Sequence, residues 1–418
     1  MSLTHHPNPN AFTNAKTYGV FSIPVIVGAL GYFVDIYDLL LFGIVRRQSL
    51  QDLGLSGEQL ATVGEQIISI QMAGLLIGGI IWGIMGDKKG RLSVLFGSIV
   101  LYSLANIANG MVTTTNQYAL VRFIAGIGLA GELGAGITLI AELLPKEKRG
   151  LGTSLVAGLG LTGAVVAYFI SQEFDWRVCY YIGGGLGLLL LLLRVSVFES
   201  GMFHQVKKME VSRGNFFMFF TNRTRLKKYL ISILIGLPTW YVIGVLVTFS
   251  DKFGSELGLT EAVVPGKAIM FAYIGISIGD IAIGLLSQWL RSRKKALYIF
   301  YALTALFIAL FFLQEGGSSS QMYWICAGLG FATGFWAIFV TMAAEQFGTN
   351  LRATAATTVP NMVRGALPLI IILFQWLRSY MSYTTAGLVT GIIIMIITIA
   401  AAVNARETFG KDLNYVES

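Results

Sequence analysis

The sequence predicts an all-α membrane protein of twelve spanning helices in two six-helix bundles. Three observations lead there. First, the 418 residues are 55% hydrophobic and only 12% charged, with mean hydropathy +0.70, whereas a soluble domain carries about 25% charge. That much apolar side chain cannot be hidden in a core surrounded by water, so the solvent must be lipid. Second, twelve apolar runs approach the roughly 20 residues that a helix needs to cross the hydrocarbon. Third, one helix-end signature occurs twice: Glu142 to Arg149 and Glu345 to Arg352 are both steps of seven residues, one in each half. A repeated ending implies two related halves, the plan of a membrane carrier.

Residues 1–18 read as a tail, without a basic region followed by a cleavage site, so the first apolar run is expected to be retained. The runs are 19–45, 60–85, 91–112, 118–142, 150–171 and 177–197, then 228–250, 264–290, 295–313, 321–344, 353–377 and 382–404. All are expected to be helices, because lipid offers unpaired backbone groups no partner and no alternating barrel pattern is present. Pro24, Pro238, Pro360 and Pro368 fall inside runs and suggest kinks. The expected units are therefore a tail 1–18, a bundle 19–197, a linker 198–227, a second bundle 228–404 and a tail 405–418.

The formal charge is +8 and the pI about 9.3. The basic residues cluster in alternate short loops, at Lys88, Lys89 and Arg91, at Lys146, Lys148 and Arg149, and at Arg291, Arg293, Lys294 and Lys295. The linker adds Lys207, Lys208, Arg213, Arg223, Arg225, Lys227 and Lys228. The other loops are poor in them. By the positive-inside rule the charge reports topology, with both termini cytoplasmic, and not nucleic-acid binding. Within the linker, Phe216 to Phe220 is an apolar patch that could form a short surface helix, although a plain linker pinning the halves to the cytoplasmic leaflet is preferred. Cys179 and Cys326 sit in apolar runs with no disulfide or metal spacing, and His5, His6 and His204 have no ligand partners, so neither metal nor cofactor is expected. There is no phosphate-binding loop and no nucleophile–base pair, which argues against nucleotide hydrolysis and against an enzyme.

Charges inside the runs carry the functional signal, because each costs about 2.5–3.5 kcal/mol at the bilayer centre unless it meets a partner or water. Asp35 and Asp38 are three apart in the first run and share a helix face with Gly31 and Phe42. Two such carboxylates repel when both are charged, which suits a proton relay, although one could simply fix packing through an arginine. Glu132 lies among Gly126, Gly128, Gly131, Gly134 and Gly136, which let a helix or a solute approach closely. The G-x-G-x-x-G match at Gly126 to Gly131 lies inside a membrane helix and so carries no nucleotide. Arg122 and Arg364 are embedded cations and Asp280 a third embedded acid. Pairs of Arg122 with Asp35 or Asp38, and of Arg364 with Asp280, are plausible, and Arg364 could equally clamp a solute carboxylate in a two-point fork. Tyr37, Gln71, Trp240, Tyr273, Trp336 and Asn361 are candidate cavity-lining residues, as are Tyr32, Tyr168 and Tyr241, though packing explains each one singly.

The loop Gly83-Ile-Met-Gly86-Asp87-Lys88-Lys89-Gly90-Arg91 has the pattern G-x-x-x-D-x-x-G-R. With twelve runs, the six-plus-six split and both helix-end signatures, it resembles the major facilitator superfamily over nearly the whole chain. The second copy, from Gly284 to Arg293, keeps the glycine and the basic residues but lacks the aspartate. The G-x-x-G-E of Glu132, the acid-x-x-Asp of Asp35 and Asp38, the E-x-x-P-x-x-x-R-G of Glu142 to Gly150 and the tail from Arg406 to Leu413 resemble the metabolite:proton symporter branch. Asp35 stands where that branch usually has glutamate, and Ile36 where it usually has an aromatic. The resemblance implies the major facilitator fold and a secondary transporter of the inner membrane, moving a small polar solute such as an organic acid, amino acid or betaine by proton symport. It implies gating roles for Asp87, Arg91, Glu142, Arg149, Glu345 and Arg352, and proton coupling at Arg122 beside Asp35, Asp38 and Glu132. Solute contacts are then expected at Tyr37, Gln71, Trp240, Tyr273, Asp280, Trp336, Asn361 and Arg364, in a chain working as a monomer with lipid, solute and protons as its partners. An exporter by proton antiport is the alternative, weakened by the missing proline in Gly158 to Ala164; a non-transporting receptor ranks lower still.

Overall fold

The computed structural model describes residues 19, 21–89, 91–143, 146–197 and 216–410. Six helices make the first half: α1 (Ile23–Asp52), α2 (Gln59–Lys89), α3 (Arg91–Asn109), α4 (Thr115–Leu143), α5 (Lys146–Glu173) and α6 (Trp176–Val197). The second half holds α7 (Arg223–Tyr241), α8 (Ser250–Glu256), α9 (Pro265–Leu290), α10 (Arg293–Phe312), α11 (Ser319–Thr333), α12 (Trp336–Glu345), α13 (Thr349–Gly365), α14 (Leu367–Arg378) and α15 (Tyr383–Asn404). The extra helices come from broken spans, so the chain still crosses twelve times. α11 and α12 form one crossing, interrupted at Gly334 and Phe335, and α13 and α14 another, interrupted at Ala366.

The prolines explain part of this. Pro368 lies in the first turn of α14, where its missing N–H costs nothing, so the helix restarts there. Pro238 is followed by a π-helical stretch, Val242–Val247, where the ladder absorbs an extra residue. Pro360 lies inside α13, which continues past it. Pro24 occupies the first turn of α1 and makes no interior kink, because the position needs no donor.

With an even number of crossings, both described ends lie on one face, here called the terminal face; Asp52, Glu65 and Arg378 mark the far face. In the first half α1 packs on α5 and α6, and α4 packs on α2 and α3. In the second, α9 packs on α11 and α7 on α13 and α15. The halves meet where α2 and α4 cross α13, where α2 meets α14, and where α1 and α5 meet α9. Glycine makes the α2–α13 crossing possible: a Cβ on Gly365 would lie 2.6 Å from Cβ of Leu76. The α4 glycines serve the same end inside the first half, with Gly126 against the α2 backbone at Gln71 and Leu75, and Gly128 against Tyr102.

The patch begins with a short 3₁₀ turn, Phe216–Phe219, and its outer rings, Phe217 and the following Phe220, are exposed. Phe219 is buried, stacked on Tyr229 with centroids 4.5 Å apart and edge-on to Phe347 at 5.0 Å, so the patch is pinned to the second half by its inner rings. After α15 the chain folds back on the terminal face. There Glu407 accepts from the Ser292 hydroxyl at 2.5 Å and from the amides of Arg293 at 3.0 Å and Lys294 at 3.2 Å, capping the start of α10.

Candidate functional site

Midway through the molecule, polar side chains that the sequence scatters over 330 residues form a buried belt. Asp35, Asp38, Arg122, Glu132, Arg364 and Asn361 are all at most 2% exposed. Membrane depth allows this only where charges find each other or a cavity.

The layer nearer the far face is built on Arg122. Its guanidinium donates to Gln71 Oε1 at 3.2 Å, to Asn106 Oδ1 at 3.2 Å and to the Asp38 main-chain carbonyl at 3.0 Å, and lies over the Tyr180 ring at 5.5 Å. Gln71 is held in turn by donating to the Leu39 carbonyl at 3.1 Å. Gln71, expected against solute, thus orients an arginine. Of the two candidates for Arg122, the structure selects Asp38, through its backbone. The Asp38 carboxylate oxygens accept no hydrogen bond among the described residues.

The central layer crosses the two halves. Arg364 at the end of α13 faces Asp35 of α1, with Nη1 3.7 Å from Oδ2. Its guanidinium lies near two indoles, 5.9 Å from the Trp240 ring and 6.0 Å from the Trp336 ring. Nε and Nη1 of Arg364, and both carboxylate oxygens of Asp35, have no hydrogen-bond partner among the described residues. The ion-pair partner of Arg364 therefore comes from the opposite half, Asp35, where the sequence suggested Asp280 of its own half. Tyr273 is buried in the same region on α9, and Asn361, one turn before Arg364, donates across the interface to the Ala130 carbonyl at 3.0 Å.

The next layer holds Glu132, which takes both terminal nitrogens of Arg194 from α6 in a two-point pair, Nη1 to Oε2 at 3.0 Å. Gly31 makes room for it: a Cβ there would collide with both ends of the pair. Arg194 was missed in the sequence, hidden at the end of a leucine run, although a cation inside a span was the available signal. Tyr37 donates to the Cys179 carbonyl at 2.9 Å, which places it in the α1–α6 contact.

Two more charge clusters tie the halves at the far face. Arg46 of α1 pairs with Asp251 of α8 at 2.5 Å and lies over the Phe249 ring at 4.6 Å. Glu65 of α2 accepts from Arg378 Nη1 at 2.8 and 3.0 Å, from Gln375 at 2.8 Å and from the Tyr383 hydroxyl at 3.5 Å. Glu65 lies early in an apolar run, so the cost of a buried charge was the signal that could have found it. On the terminal face Glu345 pairs with Arg293 at 3.0 and 3.1 Å, both groups in the second half. The side chains of Asp87, Arg91, Glu142, Arg149 and Arg352 lie outside the described residues.

The arrangement is a buried belt of charged and polar side chains in which Arg364 and Asp35 pair across the two bundles and Glu132 and Arg194 pair within the first. The chain is 24% identical over 424 residues to the niacin transporter NiaP of Acinetobacter baylyi, covering 94% of this chain and 95% of that protein. It is 24% identical to the benzoate transport protein of the same organism, covering 85% and 83%, and 25% identical to the sialic acid transporter NanX of Escherichia coli, covering 80% and 81%. Its fold matches the inward-open xylose transporter XylE of E. coli with a TM-score of 0.72 at 17% identity, over 94% of this chain and 98% of that one. The sequence pattern of the Major Facilitator Superfamily matches residues 28–371, and the chain belongs to that superfamily, as a multi-pass membrane transporter of solutes and not an enzyme.

Proposed function

We propose that the chain is a proton symporter for small organic carboxylates, aromatic ones in particular, in the inner membrane with both termini cytoplasmic. The observation that carries this is Arg364. It is buried between the halves, with two indole rings about 6 Å from its guanidinium, unmet donors and a carboxylate from the other half at 3.7 Å. A guanidinium fork matches a carboxylate in two points, and flat indoles suit a flat solute body. The relatives named for niacin and benzoate act on solutes of that chemistry. The loop charges described above support the orientation.

The coupling follows from charge balance. With the site empty, Arg364 and Asp35 neutralise one another. A solute carboxylate on Arg364 displaces Asp35, which then stands as an uncompensated charge in an apolar surround. A proton on Asp35 restores neutrality, so solute and proton are favoured together. Asp38, one turn away on the same face, is the group that passes the proton to it. Glu132, locked to Arg194, holds α4 to α6 and shapes the wall.

The test is solute-induced pH change in proteoliposomes, using benzoate, nicotinate and a dicarboxylate with an amino acid and a betaine as contrasts. Alkalinisation outside on adding a carboxylate, lost in Arg364→Gln and in Asp35→Asn, is expected. Acidification outside would indicate antiport, and uptake of the betaine alone would sink the carboxylate reading.

A further inference from the structure

The far-face cluster has a feature that a simple lock does not need. Among the described residues every donor to the Glu65 carboxylate belongs to the second half: two bonds from Arg378, one from Gln375 and one from Tyr383. The second half thus carries a complete carboxylate receptor, and the first half supplies the carboxylate. Arg378 also repeats the surroundings of Arg364. It lies 5.5 Å from the Phe374 ring and 4.7 Å from the Tyr383 ring, as Arg364 lies near two indoles, and each faces an acid from the opposite half. The two arginines sit 14 residues apart in one crossing, about 21 Å along it at 1.5 Å per residue.

Above the Glu65–Arg378 contact a cavity of about 540 Å³ opens to the far face, lined by both partners, Gln375 and Tyr383. Its other charged groups are Glu58, which is mostly exposed and 3.7 Å from Arg378, and Lys252 with Glu256, paired at 2.7 Å. That volume accommodates a small aromatic acid.

We propose that Arg378, Gln375 and Tyr383 form a second solute-carboxylate site, an entry site that Glu65 occupies in this conformation. The solute takes the place of Glu65, and by doing so removes one of the ties that hold the far face shut. Entry and opening are one exchange of carboxylates, and the central site repeats it with Asp35. This rests on the carboxylate reading of the proposed function.

The experiment is equilibrium binding of radiolabelled benzoate to the full-length chain in nanodiscs. In the Glu65→Gln/Arg364→Gln variant the central fork is removed and Arg378 is released. The expected result is one benzoate per chain, weakened roughly tenfold or more by adding Arg378→Gln, as when a charge-assisted fork becomes a neutral amide. No benzoate binding to the folded Glu65→Gln/Arg364→Gln variant overturns the entry site, and so does binding that Arg378→Gln leaves unchanged. Folding is checked by the thermal protection of the buried thiols Cys179 and Cys326. Failure of the carboxylate reading shows separately, as wild-type chain that takes up none of the carboxylates, or takes them up as well without Arg364 as with it. Benzoate bound through Arg378 in that case would still establish the receptor.

Discussion

Replacing Glu132 by Gln should cost the first half much of its stability. The Glu132 and Arg194 side chains are 2% and 3% exposed, and the pair spans 62 residues to join α4 to α6 beneath Gly31. Removing one partner leaves a buried guanidinium without its counter-charge, a loss of about 3–5 kcal/mol. A unit the size of this half shifts by about 2–4 °C per kcal/mol, so the melting temperature should fall by roughly 6–20 °C. The chain carries its own reporter in Cys179, fully buried on the same helix as Arg194. Reaction with a thiol-sensitive dye during heating follows the unfolding of that helix. Arg194→Gln should cost a similar amount, and Glu132→Gln/Arg194→Gln less than the sum, because no lone charge remains. Additive losses would refute the pairing, as would a Glu132→Gln chain that melts like wild type.

Four further outcomes follow from the same geometry. Arg46→Gln strands Asp251, whose side chain is 13% exposed; loss of about 3–5 kcal/mol from such a pair should raise the labelling of a cysteine in place of buried Thr248 by at least tenfold, and unchanged labelling would count against the far-face tie. Gly365→Ala puts a Cβ 2.6 Å from Cβ of Leu76, an overpacking of about 1–3 kcal/mol to be read as a drop in melting temperature together with slower carboxylate counterflow. Asp38→Asn should abolish the solute-induced pH change while leaving benzoate binding at Arg364 in place. On the terminal face, partial burial raises the Glu407 carboxyl but is outweighed by its bonds from Ser292 and the amides of Phe409, Arg293 and Lys294, which bring it from 4.5 down to about 2. A group depressed on folding stabilises above its unfolded value, so the cap on α10 is fully present above about 4.5 and is lost as pH falls towards 2; limited proteolysis of the tail against pH checks this, with Glu407→Gln sensitive throughout.

Most of the fold is legible in the sequence, and the reason is that membrane insertion depends on each segment separately. Whether 20 residues are apolar enough to leave water does not depend on their neighbours, so the twelve crossings, the two halves and the embedded Asp35, Asp38, Arg122, Glu132 and Arg364 can all be read from the string. The breaks at Gly334 and Ala366 were less visible, because neighbouring helices decide whether a helix in lipid continues.

Pairing is another matter. Which charge meets which depends on the rotation of each helix about its axis and on where two helices cross, properties of pairs of segments and not of one. Hence Arg364 meets Asp35 of the other half, Glu132 meets an arginine at the end of a leucine run, and Glu65 accepts from Arg378, 313 residues away, and from Gln375 and Tyr383 beside it. The sequence by itself determined that this chain lies in lipid, crosses twelve times and carries charges it must neutralise there. Only the tertiary structure decided that several of those charges are neutralised across the two halves, because the low dielectric that makes a lone charge costly leaves the choice of partner to packing.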